Sequence, residues 1–415
     1  MNRLKFSSIN ISLGLLIIVS FFIGFYFQEN SSGGAIDFSH YYNNFKLFYG
    51  KNLLKINWYD YESSSLPLYY FVTYFFYNPE NLILIKIFNL FLSLFCLFLF
   101  YKILNIHLKL NNSLSFLLSS TILLSPYFRT STFWMMEENF PILMTFITIY
   151  FYVSLKKKFS YFFLIAAIFF SVCAFFSRQN YIIISFGLFL LIFDWNNFFS
   201  KKNFLIVFLF FIFFSPSLYF FNTWGGLLTP VVVGEKRALI LNIYNIPYIL
   251  NIILVYIFPF VFLEKKKFII FFNKNKKLIL FSFIFYLLIF FNFIPTTIGG
   301  GALSKLFMII TDGFVLKYLI LICSFFSLLF LILLFNDNKI IIFYFLLNLI
   351  LFSTITPIWQ EYFDPLSLVF IILFGNKINL PQYSNKFVYF LIAYLSLFLS
   401  TSILDQNYIS TMLIN

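Results

Sequence analysis

Charge is what this chain has least of. Only 10% of its 415 residues are charged, against roughly 25% in a soluble domain, and no polar stretch is long enough to fold into a soluble domain of useful size. Cysteine and histidine are scarce as well. The three cysteines (Cys96, Cys173 and Cys323) all fall inside apolar segments, which indicates neither a disulfide framework nor a metal site. His40 and His107 are too few and too separated to suggest a metal centre, and no cofactor is expected. No internal sequence repeat suggests the inverted halves of a transporter.

What fills the chain instead is apolar sequence, 61% of it. Apolar runs recur from end to end, the pattern of membrane-crossing helices. The 69 phenylalanines accompany abundant Ile, Lys, Asn and Tyr, as AT-rich codons produce, so no aromatic cluster is read as a site on count alone. The net charge of +13 comes from short basic clusters between apolar runs. That distribution excludes nucleic acid as the partner and fits the rule that Lys and Arg stay cytoplasmic.

The expected fold is an all-α, polytopic integral membrane domain over 1–415, with about thirteen transmembrane helices. They are placed near 10–28, 82–104, 113–128, 140–155, 159–176, 181–194, 204–221, 246–264, 278–294, 308–335, 340–353, 366–376 and 387–404. The first follows Arg3 and Lys5 and reads as an uncleaved helix rather than a signal peptide. With the N-terminus cytoplasmic, most of the basic residues fall inside, including Lys156, Lys157, Lys158, Lys265, Lys266, Lys267, Lys274, Lys276 and Lys277, while most acids fall outside. In a bacterium this membrane would be the inner (plasma) membrane. The longest polar stretch is the first outside loop, 29–80, whose Ser65–Tyr77 segment is too short to span and is expected to lie as an interfacial helix.

Candidate chemistry gathers in the outside segments. Asp37 follows the first helix closely and can act as a general base on an acceptor hydroxyl, or simply be a solvated acid or a local cap. Arg178 sits in a short turn between strongly apolar helices. It either holds an anion with its planar fork or snorkels to the headgroups. Lys236 and Arg237 in VVVGEKRALILN lie outside against the trend, which a phosphate ligand or a lipid headgroup would offset. Gln179, Glu138 and Glu235 are possible substrate-binding residues. Glu137 and Glu138 also open a helix, where acids favour the dipole. Arg129 groups with these two acids, and Gly299, Gly300, Gly301, Lys305, Gln360 and Glu361 complete the outside set. Lys86 and Lys317 are expected to snorkel.

Three stretches, AIDFSHYYNNFKLFYG, FFSRQNYIIIS and VVVGEKRALILNIYNIPY, together with the Pro67–Tyr70 segment before the second helix, carry a resemblance. The chain resembles the GT-C superfamily of membrane glycosyltransferases. It is most similar to the dolichyl-phosphate-glucose α-1,2-glucosyltransferase family of lipid-linked oligosaccharide assembly. The resemblance covers roughly 10–265, which it makes a catalytic half; 266–415 matches only as generic transmembrane helices. The opening loop carries Phe-Ser-His after Asp37 where the family has further acid, and its proline-rich element is reduced to SSSLPLYY.

The resemblance implies transfer of a hexose from a polyprenyl-phosphate sugar to a lipid-linked glycan or other acceptor on the non-cytoplasmic side. Asp37 would be the base, and Arg178, Lys236 and Arg237 would hold the donor phosphate. No metal is required, because the lipid carrier replaces a nucleotide. The competing readings are a transporter or flippase, which would place ionisable residues mid-membrane, and a polysaccharide polymerase or ligase, which would carry its large outside loop late in the chain.

Overall fold

The computed structural model describes residues 2–49, 56–63, 65–78, 81–231, 241–295, 299–335, 339–355, 357–375 and 385–409. Every regular element among them is helical. Among the described residues seven helices are long and apolar enough to cross a membrane, or eight if one bent pair counts as a single span. The chain is therefore an all-α, multi-pass membrane protein, with fewer candidate spans than the thirteen expected from its apolar runs.

The reason for the smaller number is local. At 1.5 Å rise per residue a helix of 10–17 residues reaches about 15–25 Å, short of a hydrocarbon core about 30 Å thick, and five apolar helices fall in that class. The expected span at 113–128 is one example. It breaks at the tight turn Thr121–Leu124 and restarts at Pro126, where the Ser125 hydroxyl accepts from the Phe128 amide at 3.0 Å. Ser125 and a proline in the first helical position are a strong start signal inside an apolar run. The expected spans at 246–264 and 308–335 stand, as the candidate spans Ile243–Phe262 and Gly313–Phe335. Gly301–Ile310 is a separate short helix before the second, and the helix of the first continues to Lys274, where the axis turns by 87° into the next helix.

The chain divides into two compact units, 1–237 with 395–415, and 238–394. In the first, α1 (Asn2–Tyr26) is followed by α2 (Gly34–Phe48) and α3 (Leu68–Thr73), then α4 (Ile83–Ile103), α5 (Asn112–Ser120) and α6 (Pro126–Phe133). The long helices α7 (Asn139–Lys157) and α8 (Tyr161–Ser177) form an antiparallel pair, followed by α9 (Ile182–Ile192) and α10 (Lys201–Trp224). The stretch 29–80 is thus no open loop. It carries α2, and its expected interfacial helix is the short α3, whose Tyr69, Tyr70 and Thr73 are buried in protein.

A buried polar knot holds the first unit together. Asn139 Nδ2 donates to Ser93 Oγ, Phe128 O and Thr132 Oγ1 at 3.0, 2.8 and 2.9 Å. Asn89 Nδ2 reaches Met136 O at 3.3 Å while its Oδ1 accepts from the Tyr69 hydroxyl at 3.1 Å. Each bond contributes about 1 kcal/mol net, and removing one partner would strand a buried polar group at higher cost. The knot ties α3, α4, α6 and α7 to one point and fixes the turn at 134–138.

In the second unit, α11 (Ile246–Lys274), α12 (Lys276–Asn292), α13 (Gly301–Ile310) and α14 (Gly313–Phe335) precede α15 (Lys339–Phe352), α16 (Leu366–Phe374) and the start of α17 (Asn385–Leu404). The Gly299–Gly301 run is structural here. All three glycines have φ between 73 and 83°, the left-handed region that side chains resist. A Cβ on Gly299 would meet the Ile358 carbonyl oxygen at 2.6 Å. Gln360 closes the turn, accepting from Ala302 N at 2.8 Å and donating to the Tyr256 hydroxyl at 3.0 Å.

Candidate functional site

The knot delivers two adjacent carboxylates to one end of the α7/α8 pair. Glu137 and Glu138 precede α7, and Arg178 follows α8, so an antiparallel pair with its turn at 158–160 puts all three at the same end. Glu138 stands at the N-cap but makes no side-chain cap hydrogen bond. Both acids turn to Arg178 instead, whose Nη2 is 3.6 Å from Glu138 Oε1 and whose Nε is 3.9 Å from Glu137 Oε1. These are ion-pair separations, longer than hydrogen bonds. All three side chains are buried.

Residues from the first polar stretch complete the cluster. The Tyr41 hydroxyl of α2 donates to Glu138 Oε1 at 2.5 Å. Ser65 and Ser63 donate to Glu137 Oε1 at 2.6 and 3.4 Å, while Glu137 Oε2 is buried without a hydrogen-bond partner. Burial is the largest influence on Glu137 and pushes its pKa above the ordinary carboxylate value. Arg178, Ser65, Tyr70 and Ser63 pull it back only in part. Tyr61, Tyr69 and Tyr70 wall the same region; burial raises all three phenols well above their ordinary range.

Asp37 lies in the first turn of α2, half-buried, behind Gly33 at φ 86°. Residues four apart share a helix face, so Asp37 and Tyr41 stand one above the other on α2, and Tyr41 reaches the Glu138–Arg178 pair. Gln179, in the turn after Arg178, donates to Leu227 O at 2.8 Å. Two residues on, the Thr229 hydroxyl donates to Ser63 O at 3.2 Å, so the segment after α10 is pinned at two points beside the cluster. Glu235, Lys236 and Arg237 lie outside the described residues.

Several sequence expectations change. Arg129 does not join Glu137 and Glu138: it pairs with Glu29, Nε to Oε1 at 2.7 Å and Nη2 to Oε2 at 2.6 Å. The intervening α6 turns its side chain back toward α1, where Phe21 and Phe133 flank the guanidinium. Gly299–Gly301 and Gln360 belong to the second unit and hold one of its turns. Lys86 and Lys317 sit over the rings of Phe25 and Phe290 at 4.9 and 4.4 Å. Tyr41, Ser63 and Ser65 join the cluster beyond the residues that the sequence singles out. The four-residue step from Asp37 to Tyr41 was a legible sign for the first; isolated serines give none. Among the described residues no group of three or more His, Cys, Asp or Glu forms a metal-binding set.

The chain matches no protein-family model, and no curated protein or solved structure matches it.

Proposed function

We propose that this protein is a GT-C-type membrane glycosyltransferase. It would move a hexose from a polyprenyl-phosphate sugar to a lipid-linked glycan or another acceptor on the non-cytoplasmic side. The observation that carries the reading is the chain of contacts from α2 to Arg178. Asp37 and Tyr41 share one helix face, Tyr41 bonds Glu138, and Glu138 pairs with Arg178. A carboxylate that can take a proton and a guanidinium that can face a phosphate thus belong to one end of one unit.

In the proposed reaction Asp37 accepts the proton of the acceptor hydroxyl as its oxygen attacks the anomeric carbon. The bond from that carbon to the phosphate oxygen breaks, and polyprenyl phosphate leaves with one more negative charge. Arg178 offsets that growing charge, with Lys236 and Arg237 in the same role. Glu137 and Glu138 orient the guanidinium, and Gln179, Glu138 and Glu235 are the candidates for contacts to the sugars.

The test is turnover of a polyprenyl-phosphate hexose in membranes. Asp37→Asn keeps the side chain's size and removes its basicity, so transfer should fall by about 100-fold while folding survives. Arg178→Lys keeps the charge and loses the fork, and should weaken donor binding. Wild-type turnover by Asp37→Asn would remove the base. Unchanged donor binding in Arg178→Lys and Arg178→Ala would leave Arg178 as an anchor.

A further inference from the structure

The first unit also holds a cavity of about 750 Å³ lined by α1, the end of α17 and the turn after it. Its two long walls are helix stripes. Ser20, Ile23, Gly24 and Phe27 follow the three-and-four spacing of one face of α1, and Leu399, Ile403 and Asn407 recur every four residues opposite them. Both flanking helices are candidate spans. Leu16, Val19, Ile23, Leu397 and Leu404 on them are exposed, so lipid is the surrounding medium.

One end of the cavity is polar, with Gln28, Glu29, Asn30, Asn407 and the Arg129–Glu29 pair. Gly24 lets that pair reach the wall: a Cβ there would meet Arg129 Nη2 at 2.5 Å and Glu29 Oε2 at 2.7 Å. The charge balance decides what can bind. Arg129 is the only cation among the described residues of the lining. Its carboxylate partner neutralises it, and its remaining donors serve Ser20 O at 3.0 Å and Leu123 O at 3.2 Å. Asn407 Nδ2 is committed to Asn30 O and Ile403 O at 3.1 and 2.8 Å. The capacity that remains is uncharged, in the side-chain amides of Gln28 and Asn30, together with the paired carboxylate. Asn30 Oδ1 is buried with no hydrogen-bond partner, and the Glu29 side chain keeps 15% exposure. Such an end offers a phosphate no unpaired cation and suits groups that make hydrogen bonds without carrying charge.

We infer that this cavity binds a membrane lipid with an uncharged, hydroxyl-rich headgroup, a neutral glycolipid. Its hydrocarbon chain lies between Ile23, Phe27, Leu399 and Ile403, and its hydroxyls donate to Asn30 Oδ1 and Glu29. A cavity of this volume takes a sugar ring with part of a chain. Trp134 lines the same space and supplies the readout.

The experiment measures tryptophan fluorescence of the full chain in phosphatidylcholine nanodiscs. The probe is glucosyl-diacylglycerol with dibrominated acyl chains, compared with equally brominated phosphatidylglycerol. The glycolipid should quench saturably at low mole fraction, and Trp134→Phe should remove that component. The anionic lipid should need about ten times more. Asn30→Ala should weaken the glycolipid's apparent affinity about 5-fold, the worth of one hydrogen bond. Equal quenching by the two lipids would mean a non-selective annular contact, and preference for phosphatidylglycerol would mean an anion site; either overturns the inference. If Asn30→Ala does not fold, the comparison of headgroups on the wild-type chain decides alone. Binding is read without turnover, so failure here and failure of the transferase reading are separate outcomes.

Discussion

Replacing Glu29 by Gln tests the buried ion pair most directly. Arg129 is 2% exposed and spends Nε and Nη2 on the two carboxylate oxygens. Glutamine keeps one acceptor oxygen, turns an amide toward the guanidinium and leaves a buried cation without its counter-charge. Breaking such a pair costs about 3–5 kcal/mol. The bonds to Ser20 O and Leu123 O survive the change, and the Glu29 side chain is partly exposed, which puts the loss at the low end, about 3 kcal/mol. At about 2 °C per kcal/mol for a unit of this size, the melting temperature in detergent should fall by about 6 °C. A Glu29→Met, Arg129→Met double variant removes both charges and should recover more than half of that loss. A single variant within about 1 °C of wild type, or a double variant worse than the single, would refute the assignment of stability to the pair.

Burial raises the pKa of Glu137, so between the ordinary carboxylate value and the raised one the folded protein holds a proton there that the unfolded chain has lost. Stability should therefore fall as pH rises from the ordinary carboxylate range to the raised pKa, then level off; melting at about pH 5 and about pH 8 should differ less in Glu137→Gln than in wild type. Gly299→Ala forces a Cβ onto the Ile358 carbonyl oxygen at positive φ and should cost about 3 kcal/mol. Gly226→Ala meets nothing within 4 Å and should stay within about 0.5 kcal/mol in the same melts. For orientation, single cysteines are placed in a chain freed of Cys96, Cys173 and Cys323. Tyr59→Cys should react with an impermeant maleimide on intact cells and Lys277→Cys only after permeabilisation; the reverse pattern would invert the topology inferred from charge.

The membrane class was legible because it is compositional. Bilayer spanning needs long apolar runs, and no arrangement in space is required to see them. Spans were harder to count, since hydropathy sums residues and does not see where a helix stops. The break at Ser125–Pro126 is decided by capping and by a missing N–H inside a mostly apolar run, whereas the bend after Lys274 falls in the basic stretch 273–277, where the sequence already marks a connection. Arg178 stands out in the sequence as a cation between apolar helices, and Glu138 as an acid opening a helix.

Which charges compensate one another was settled only by the tertiary structure. Arg129 lies 100 residues from Glu29 in sequence and only a few positions from Glu137, yet α6 carries its guanidinium back to α1 and leaves Glu137 to Arg178. Burying a cation in a medium of low dielectric forces it onto the nearest carboxylate in space. Sequence alone showed that these few ionisable residues, set among apolar runs, need an anion, a headgroup or a counter-charge. The packing of α1, α6, α7 and α8 decided their partners.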